Sequence, residues 1–409
     1  MVLAPFAARS TMRKLQAQGV TAERSREKLG HATQPRPSSG PLVWLHAASV
    51  GESLSVLALI TRMGQILPTA HFLITSGTAT SAKLVAQRLP PRTVHQFAPL
   101  DAPRPVKRFL NHWQPDAAIF VESELWPQML RRTHATGARM ALVNARMSEK
   151  TVAFWAEWPQ AARYIFDVFA LILTQNDAMA QNMIRMNAPA ERVARGVNLK
   201  SMSGPLPVDA SALQEVRTTL ADRPIWVASS THEGEESAVL SAHRHLLKRF
   251  PDLCLILAPR HPERGDIVEQ LIASDGLSYR RRSRGEAPGG QVYLADTMGE
   301  LGLWYEMAEI VFLGGSLLPI GGHNPFEVAQ AGAAVLTGNH VAAFAETYAL
   351  LETEGAARII ADGDDLAARV AVLLTDPDEL AAMTSAAQRF TATQDDQLDA
   401  IATRLITAL

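Results

Sequence analysis

Residues 42–52 read Leu-Val-Trp-Leu-His-Ala-Ala-Ser-Val-Gly-Glu, an apolar run of strand length that passes directly into a polar turn. The following segment, 52–67, has a helical pattern that Pro68 ends. A buried strand that leads through a tight turn into a helix is the first half of a βαβ unit. This stretch therefore favours an α/β fold built on a parallel sheet.

The same alternation of strand-length apolar runs and helix-compatible segments continues on both sides of a break. Residues 201–208 hold one Gly and two Pro, which is typical of a linker. Further strands are predicted at 71–76, 117–121 and 140–144 before it, and at 224–230, 253–258, 292–295, 310–315 and 334–337 after it. We therefore predict two doubly wound, Rossmann-like domains that face a central cleft, with ligands at the carboxyl ends of the strands.

Length and composition agree with two globular domains. The chain has 409 residues, of which 47% are hydrophobic and 20% charged, and its formal net charge of −2 gives no indication of nucleic-acid binding. Cys254 is the single cysteine and lies in an apolar run, so we expect a buried thiol. Because no stretch of 18 apolar residues exists, the sequence predicts no membrane span.

The N-terminal residues have a different charge balance from the rest. Residues 1–30 contain six Lys or Arg and two Glu, an excess of four positive charges. Such a basic segment is able to lie on an anionic membrane, although a solvated helix or tail fits the pattern equally. We divide the chain into a basic membrane-facing arm (1–40), a first domain (41–203) and a second domain (204–409).

The first half carries acidic residues where the predicted strands end. Glu52 follows Gly51 at the start of a helix, where it acts either as a general base or only as a partner of the helix dipole. Ser49 lies in a partial nucleophile elbow in which Ala47 replaces the first glycine, so a serine hydrolase remains an alternative. Glu122 and Glu124 follow another strand, where an acid-rich helix start is the simpler interpretation.

The second half carries motifs suited to an anionic ligand. Residues 258–264 place two arginines and a histidine in a strand-to-helix loop, where guanidinium groups can bind phosphate. Residues 314–316 and 321–327 form a glycine-rich connection whose backbone N–H groups can approach phosphate. The one Asp-x-Asp match, at Asp362 and Asp364, lies in a late polar turn, so we predict no metal site.

Together these motifs resemble the Kdo (3-deoxy-D-manno-octulosonic acid) transferases of lipopolysaccharide synthesis, which have the GT-B fold. The resemblance extends over about residues 24–350 in collinear order. It rests on Trp44-Leu-His-Ala-Ala-Ser-Val-Gly-Glu52, Glu122-Ser-Glu-Leu-Trp-Pro127, Asn144-Ala-Arg-Met-Ser148, Asn198-Leu-Lys200, Ser230-Thr-His-Glu-Gly-Glu235, Pro259-Arg-His-Pro-Glu-Arg264, Asp296-Thr-Met-Gly-Glu-Leu301 and Gly321-Gly-His-Asn-Pro-Phe-Glu327.

The resemblance implies an enzyme that transfers Kdo from CMP-Kdo to a lipid A precursor (lipid IVA), with inversion and without a metal or other cofactor. It implies that Glu52 is the general base, and that Glu122 and Lys200 stabilise the transition state. It further implies a peripheral location at the cytoplasmic face of the bacterial inner membrane, and it names no protein partner. The positions that match the family's CMP-binding segments are Pro259, Arg260, Met298, Gly299, Glu300, Asn324, Pro325, Phe326 and Glu327.

Two departures from the family pattern concern the arm and the lysine. The family usually begins with a longer apolar segment than residues 1–30 provide, and Val197 separates Gly196 from the Asn-Leu-Lys motif. A serine hydrolase that uses Ser49 and a non-catalytic nucleotide- or sugar-binding protein remain as alternatives. Members that add one Kdo and members that add several share these motifs, so the number of transfers is left open.

Overall fold

The structure is a computed structural model that describes residues 4–199 and 206–409, with only the backbone described for 4–7. The chain divides into two compact units, Met1–Gly204 with Asp395–Leu409, and Pro205–Gln394. The division near residue 204 agrees with the predicted boundary. The last residues differ from the prediction, which assigned all of 204–409 to the second domain.

The first unit contains a seven-stranded sheet with helices between the strands. Its strands are β1 Leu42–His46, β2 His71–Ser76, β3 Thr93–Phe97, β4 Ala117–Val121, β5 Arg139–Ala145, β6 Leu171–Thr174 and β7 Val193–Arg195. Its helices are α1 Ala4–Ala17, α2 Ala22–Ser25, α3 Val50–Ile66, α4 Ala79–Ala86, α5 Pro103–Trp113, α6 Pro127–His134, α7 Glu149–Glu157, α8 Pro159–Phe166 and α9 Asp177–Arg185. The strand order is β3-β2-β1-β4-β5-β6-β7, and all pairs are parallel.

The second unit repeats this architecture. Its strands are β8 Ile225–Thr231, β9 Cys254–Pro259, β10 Tyr279–Arg281, β11 Val292–Leu294, β12 Ile310–Leu313, β13 Ala334–Thr337 and β14 Ala357–Ile359. Its helices are α10 Ala210–Leu220, α11 Glu235–Leu247, α12 Gly265–Ser274, α13 Leu301–Met307, α14 Phe326–Gln330, α15 Ala345–Thr353, α16 Gly363–Thr375 and α17 Pro377–Ala408. The order is β10-β11-β9-β8-β12-β13-β14, again all parallel. Two Rossmann-like α/β domains are thereby confirmed.

Each sheet is buried on both faces, which is why its strands have continuous apolar runs. In the first unit, Trp44 packs on one face with Phe109 and Phe120, at ring-centroid distances of 4.7 and 5.2 Å. The neighbouring Leu45 points into the core on the other face. Cys254 lies in the core of the second unit, where burial raises the pKa of its thiol to about 11, and the predicted buried thiol is confirmed.

The end of α17 belongs to the first unit. Leu398, Ile401 and Leu405 are buried in the same core face as Leu45. Arg62 on α3 forms an ion pair with Asp399, at 3.1 Å. No pattern in the sequence predicts this packing, because an Ala-rich helix carries no local signal for the sheet that it covers.

Several of the residues assigned to an N-terminal arm are packed into the first unit. Leu15 lies in a small apolar cluster with Phe97, and the fully buried carboxylate of Glu27 accepts a hydrogen bond from the backbone N–H of Phe97 at 2.7 Å. Lys28 is also buried, and this burial lowers its pKa to about 8. Arg24 forms an ion pair with Glu27 at 3.3 Å. Two of the six basic residues therefore belong to the fold, and a membrane role for the others stays a prediction.

Residues 200–205 lie outside the described part of the chain; they comprise Lys200 and the first five residues of the predicted linker. Within 4–199 and 206–409, none of the helices combines the length and the apolar character that a membrane span requires.

Candidate active site

The acidic residues of the first unit follow strands that are neighbours in the sheet. Glu52 comes after β1, Glu122 and Glu124 come after β4, and Asn144 lies near the end of β5. Because β1, β4 and β5 are consecutive in the sheet order, their carboxyl ends lie side by side. The fold therefore brings together side chains that are up to about ninety residues apart in sequence.

The carboxylate of Glu52 is held in place by a helix cap. Ser49 is the N-cap of α3, and its hydroxyl accepts a hydrogen bond from the backbone N–H of Glu52, at 3.3 Å. The same hydroxyl donates to Glu52 Oε1 at 2.7 Å, and the backbone N–H of Ala48 donates to Oε2 at 2.9 Å. This arrangement is a variant of the capping box. Ser49 therefore holds the carboxylate in place as part of the helix cap.

The surroundings of Glu52 favour its protonated form. Burial raises its pKa, and the hydrogen bond from Ser49 opposes this effect. The carboxylates of Glu124 and Glu122 raise the pKa further, and the bond from Ala48 lowers it. A carboxylate with a raised pKa is better matched to a proton acceptor that works near neutral pH. Glu52 thus has both the cap geometry and the electrostatics of a general base.

Glu124 is the centre of a hydrogen-bonded group that sequence analysis did not find. His46 Nε2 lies 3.1 Å from Glu124 Oε2, and His46 Nδ1 lies 3.0 Å from Thr75 Oγ1. The indole N–H of Trp126 also donates to Glu124. Burial opposes ionisation of Glu124, but the bonds from His46 and Trp126 outweigh it and lower the pKa. In the sequence, the available signal for this group was the position of His46 at the end of strand β1.

Glu122 is buried at the point where β4 ends. Its φ of 55° is unusual for a residue with a side chain, and Asn144 has the same value. Asn144 Nδ2 donates to Glu122 Oε1 at 3.2 Å, and Asn144 Oδ1 accepts from the backbone N–H of Leu199, also at 3.2 Å. The left-handed turn at Glu122 ends strand β4.

The motifs of the second unit also meet at one edge of a sheet. They follow β11, β9, β8 and β12, which are consecutive in the sheet order. Arg260 follows β9, residues 298–300 follow β11, and residues 324–327 follow β12. The predicted CMP-binding positions are thus brought together, as expected for ligand binding at the carboxyl edge of a doubly wound sheet.

The side chain of Glu235 binds the backbone of the turn that follows β12. Its side chain is 1% exposed and accepts hydrogen bonds from the N–H groups of His232 (2.9 Å), Gly315 (2.7 Å), Ser316 (2.9 Å) and Leu317 (2.9 Å). A Cβ on Gly314 would lie 2.8 Å from the carbonyl oxygen of Ser230, so this close approach requires glycine. The N–H groups of Gly315 and Ser316, which we expected near phosphate, are therefore bound to the protein's own carboxylate, as is that of Leu317.

Three histidines from three different loops lie near Arg260. The Nε2 atoms of His232 and His323 are 3.0 Å apart in stacked rings, and His261 meets His232 edge-on. Burial, with the neighbouring His232 and Arg260, lowers the pKa of His323 to about 4. Burial also lowers the pKa of His232. Both rings are neutral near pH 7, so one donates a hydrogen bond to the other.

The two arginines of residues 258–264 have different roles. Arg264 forms a 2.5 Å ion pair with the buried carboxylate of Glu236. The exposed guanidinium of Arg260 has no ion pair or hydrogen bond within 4–199 and 206–409. Of these two arginines, Arg260 is therefore the one available to an anionic ligand.

Glu300, one of the predicted CMP-binding residues, is held in place by Arg282, which sequence analysis did not identify. Arg282 Nη2 donates to Glu300 Oε1 at 2.7 Å, and Thr297 donates to the same carboxylate. Burial opposes ionisation of Glu300, but these bonds from Arg282 and Thr297 outweigh it and lower the pKa. Met298 is 73% exposed, and a left-handed Gly299 (φ 86°) separates it from Glu300.

The residues of the Asn324–Glu327 motif divide between the turn and the core. Asn324 Oδ1 accepts from the backbone N–H of Phe326 at 3.2 Å. Phe326 is buried against Phe390, and Pro325 is buried as well. Pro325 and Phe326 therefore anchor the loop by packing into the core. Asn324 and Glu327 are partly exposed.

The Asp-x-Asp match is a helix cap. Asp362 is the N-cap of α16 and accepts from the backbone N–H groups of Asp364 and Asp365, both at 3.0 Å. In the described part of the chain, no three His, Cys, Asp or Glu side chains are grouped so that they could hold a metal ion.

The sequence matches one family of known proteins over most of its length. Residues 23–203 match the family described as 3-deoxy-D-manno-octulosonic-acid transferase (kdotransferase). A 3-deoxy-D-manno-octulosonic acid transferase of Haemophilus influenzae is 33% identical over 84% of this chain and 81% of its own length. The Bordetella pertussis protein of the same name is 31% identical over 88% of this chain and 86% of its own.

Solved structures with a similar fold have low sequence identity. Anabaena HepE in complex with UDP has a TM-score of 0.54 at 13% identity, and the match covers 90% of this chain and all of that one. A UDP-GlcNAc 2-epimerase from Neisseria meningitidis has the same TM-score and identity over 86% of this chain and 99% of its own. These likenesses support the fold alone. The similarity to the transferases shows more: this chain is a glycosyltransferase that belongs to the 3-deoxy-D-manno-octulosonic acid (Kdo) transferase family.

Proposed function

We propose that the protein transfers Kdo from CMP-Kdo to a lipid A precursor, lipid IVA, at the cytoplasmic face of the bacterial inner membrane. Membership of the Kdo transferase family supports the reaction. The observation that carries the mechanism is the carboxylate of Glu52, which a cap holds at the sheet edge beside Glu122 and Glu124.

The reaction in this proposal is a direct displacement with inversion. Glu52 accepts the proton of an acceptor hydroxyl while the hydroxyl oxygen forms a bond to the anomeric carbon of Kdo. The bond from this carbon to the phosphate oxygen breaks, and CMP leaves with the electron pair. Positive charge develops on the sugar, so the ionised Glu124 and the buried Glu122 stabilise the transition state.

The second unit binds the nucleotide in this proposal. Arg260 contacts the phosphate, because its guanidinium has no partner in the described ranges and lies beside three histidines. Glu300, which Arg282 and Thr297 hold, is placed to accept a hydrogen bond from a hydroxyl or amino group of the nucleotide. Lys200, which lies outside the described residues, is proposed to assist the leaving phosphate.

The experiment is to measure CMP release from CMP-Kdo with and without a lipid A precursor, and to analyse the lipid product by mass spectrometry. We expect CMP release that depends on the acceptor, and a lipid heavier by one or more Kdo units. Turnover should persist in EDTA, since the proposal uses no metal. Release of CMP without lipid modification would indicate a hydrolase, and binding of CMP without turnover would indicate a binding protein; either result would overturn the proposal.

A further inference from the structure

Strands β4 and β5 both end at a residue whose backbone is left-handed. Glu122 follows β4 directly, Asn144 is the last residue but one of β5, and both have a φ of 55°. The backbone N–H of Glu122 donates to the carbonyl oxygen of Val143 at 3.0 Å, so the two strand ends are bound to each other. A side chain makes this backbone conformation costly, and residues that keep it cluster at functional sites. The pair therefore needs an explanation beyond the sheet itself.

Asn144 is an extra residue in β5. The pairing of β5 with β6 shifts register between Leu142 and Ala145, as in a β-bulge. Side chains of a regular strand alternate between two faces, so residues three apart should point to opposite faces. Leu142 and Ala145 nevertheless pack in the same core, and Val143 packs in the core on the other face. The alternation therefore slips by one residue at Asn144, whose side chain contacts the end of β4 instead of a core.

The amide of Asn144 joins two segments of the candidate active site. The residue is 2% exposed. Its Nδ2 donates to Glu122 Oε1 at 3.2 Å, and its Oδ1 accepts from the backbone N–H of Leu199, also at 3.2 Å. A carboxylate can only accept and a backbone N–H can only donate, so these two contacts require a group that has both functions. The short carboxamide of Asn provides it, whereas Asp lacks the donor and Gly lacks both.

Leu199 fixes the segment that leads to Lys200. The Leu199 side chain is 1% exposed and packs in the core of the first unit, and Asn144 holds its N–H group. Lys200, which lies outside the described residues, is the next residue in the chain. Asn144 therefore contacts the carboxylate of Glu122 on one side and the segment that carries the lysine on the other. These are the residues whose opposite charges the proposed reaction uses.

We propose that Asn144 is a positioning residue for the transfer reaction, which it serves by fixing Glu122 relative to the segment 198–200. The inference rests on the proposed function, in which Glu122 faces the positive charge of the sugar and Lys200 the leaving phosphate. Charged groups stabilise a transition state best when they are already in place, because their reorientation would otherwise add to the barrier. Loss of the Asn144 contacts therefore lowers the rate of the chemical step and leaves nucleotide binding intact.

The first test is Asn144→Gly, because Gly adopts a left-handed backbone without strain and removes the amide. The kcat should fall by about tenfold to a hundredfold, as expected for a misplacement of about 1 Å, while the KM for CMP-Kdo stays near that of the wild type. Asn187→Gly is the matched control, since Asn187 has a φ of 65° and its exposed side chain donates to the carbonyl oxygen of Pro159 at 2.9 Å. A lower melting temperature with a normal kcat in Asn144→Gly would overturn the proposal.

Asn144→Asp tests the contact with Glu122 in a side chain of the same shape. Asp keeps the oxygen that accepts from Leu199 and tolerates the left-handed backbone. Two carboxyl groups in contact hold one proton to a higher pH than usual, and the O–H of the protonated group can replace the amide donor. The kcat relative to that of the wild type, in which Glu52 and Glu124 also titrate, should therefore fall as the pH rises. A ratio that does not change with pH would contradict the proposal.

A double-mutant cycle with Glu122→Ala tests whether Asn144 acts through Glu122. Without that carboxylate, Asn144→Gly removes only the contact with Leu199. Asn144→Gly should therefore lower kcat by a smaller factor in the Glu122→Ala background than in the wild type, as expected for residues that share a contact. Equal factors in the two backgrounds would show that Asn144 does not act through Glu122, and this result would overturn the proposal.

Hydrogen exchange separates this inference from the proposed function, because it does not depend on turnover. The amide hydrogen of Leu199 should exchange about tenfold faster or more in Asn144→Gly than in the wild type, and no faster in Asn187→Gly. Faster exchange together with normal Kdo transfer would refute the inference and support the function. Absence of Kdo transfer by the wild type, with slow exchange at Leu199, would refute the function and reduce the role of Asn144 to stability.

Discussion

At the scale of single residues, Glu52 combines two roles that the sequence presented as alternatives. It caps α3 together with Ser49, and its pKa is raised by burial and by two neighbouring carboxylates. The hydrogen bonds of the cap stabilise the charged form of Glu52 and fix the oxygen atoms. A cap of this kind therefore orients a base and limits the rise of its pKa.

Ser49→Ala tests this connection through the pH dependence of turnover. Because the Ser49 hydroxyl lowers the pKa of Glu52, its loss should raise that pKa. A general base is active only when ionised, so the acid limb of the kcat profile should move to higher pH, with near-normal turnover at alkaline pH. Loss of activity at every pH would instead indicate that Ser49 is a nucleophile.

Glu235→Gln tests whether the buried carboxylate positions the nucleotide loops. The amide nitrogen of Gln cannot accept the N–H bonds that Glu235 accepts, so at least one donor loses its partner at a cost of about 1–3 kcal/mol. We expect a lower melting temperature together with weaker CMP binding. Glu27→Gln is the matched control, because Glu27 is a buried acceptor in the first unit. Equal CMP affinity in both variants would mean that Glu235 serves stability alone.

Arg260 and Arg264 should respond differently to replacement by Ala. Loss of Arg260 should weaken CMP binding by about 1.5–3 kcal/mol, the range for a hydrogen bond to a charged group, with little change in the melting temperature. Loss of Arg264 leaves the carboxylate of Glu236 buried without its cation, so the melting temperature should fall. Calorimetry with CMP and thermal unfolding measure both effects. Unchanged CMP affinity in Arg260→Ala would contradict the assignment.

At the scale of elements, the sequence predicts the central strands better than the edge strands. The bounds of β2, β4 and β13 agree with the prediction to the residue, because these strands are continuous apolar runs between clear turns. The missed strands include β3, β7, β10 and β14, which are the four edges of the two sheets. Strands β7, β10 and β14 have only three residues each, and the first two residues of β3 are only partly buried, so their apolar pattern is weaker. Strand β6 was also missed, although it is buried and as long as the correctly predicted β13.

The end of α17 gives an element-scale prediction. Leu405 is fully buried in the core of the first unit, whereas its neighbour Arg404 is exposed. Leu405→Ala should lower the free energy of unfolding of that unit by about 2–5 kcal/mol, as expected for a buried leucine. Arg404→Ala should change it little. Denaturant unfolding checks both, and equal stabilities would show that this helix end does not contribute to the core.

At the scale of the whole molecule, the motifs predicted the site because each follows a strand of a parallel sheet. Once the sheet order is known, Glu52, Glu122 and Asn144 are neighbours, and so are the loops that carry Arg260, Glu300 and Asn324. Sequence could not reveal the partners of these residues. The contact of His46 with Glu124 joins residues 78 apart, and that of His232 with His323 joins residues 91 apart. Such pairs depend on tertiary packing, for which a single sequence carries no local pattern.

We assign the chemistry to the first unit and nucleotide binding to the second. The most direct test of this assignment is one variant, Glu52→Gln, measured for Kdo transfer, CMP affinity and melting temperature. Gln keeps the size and part of the cap but cannot accept the proton, so turnover should fall by about 10²- to 10⁴-fold while CMP affinity stays near that of the wild type. A variant that melts at lower temperature but transfers Kdo at the normal rate would contradict the account, because Glu52 would then be only a helix cap.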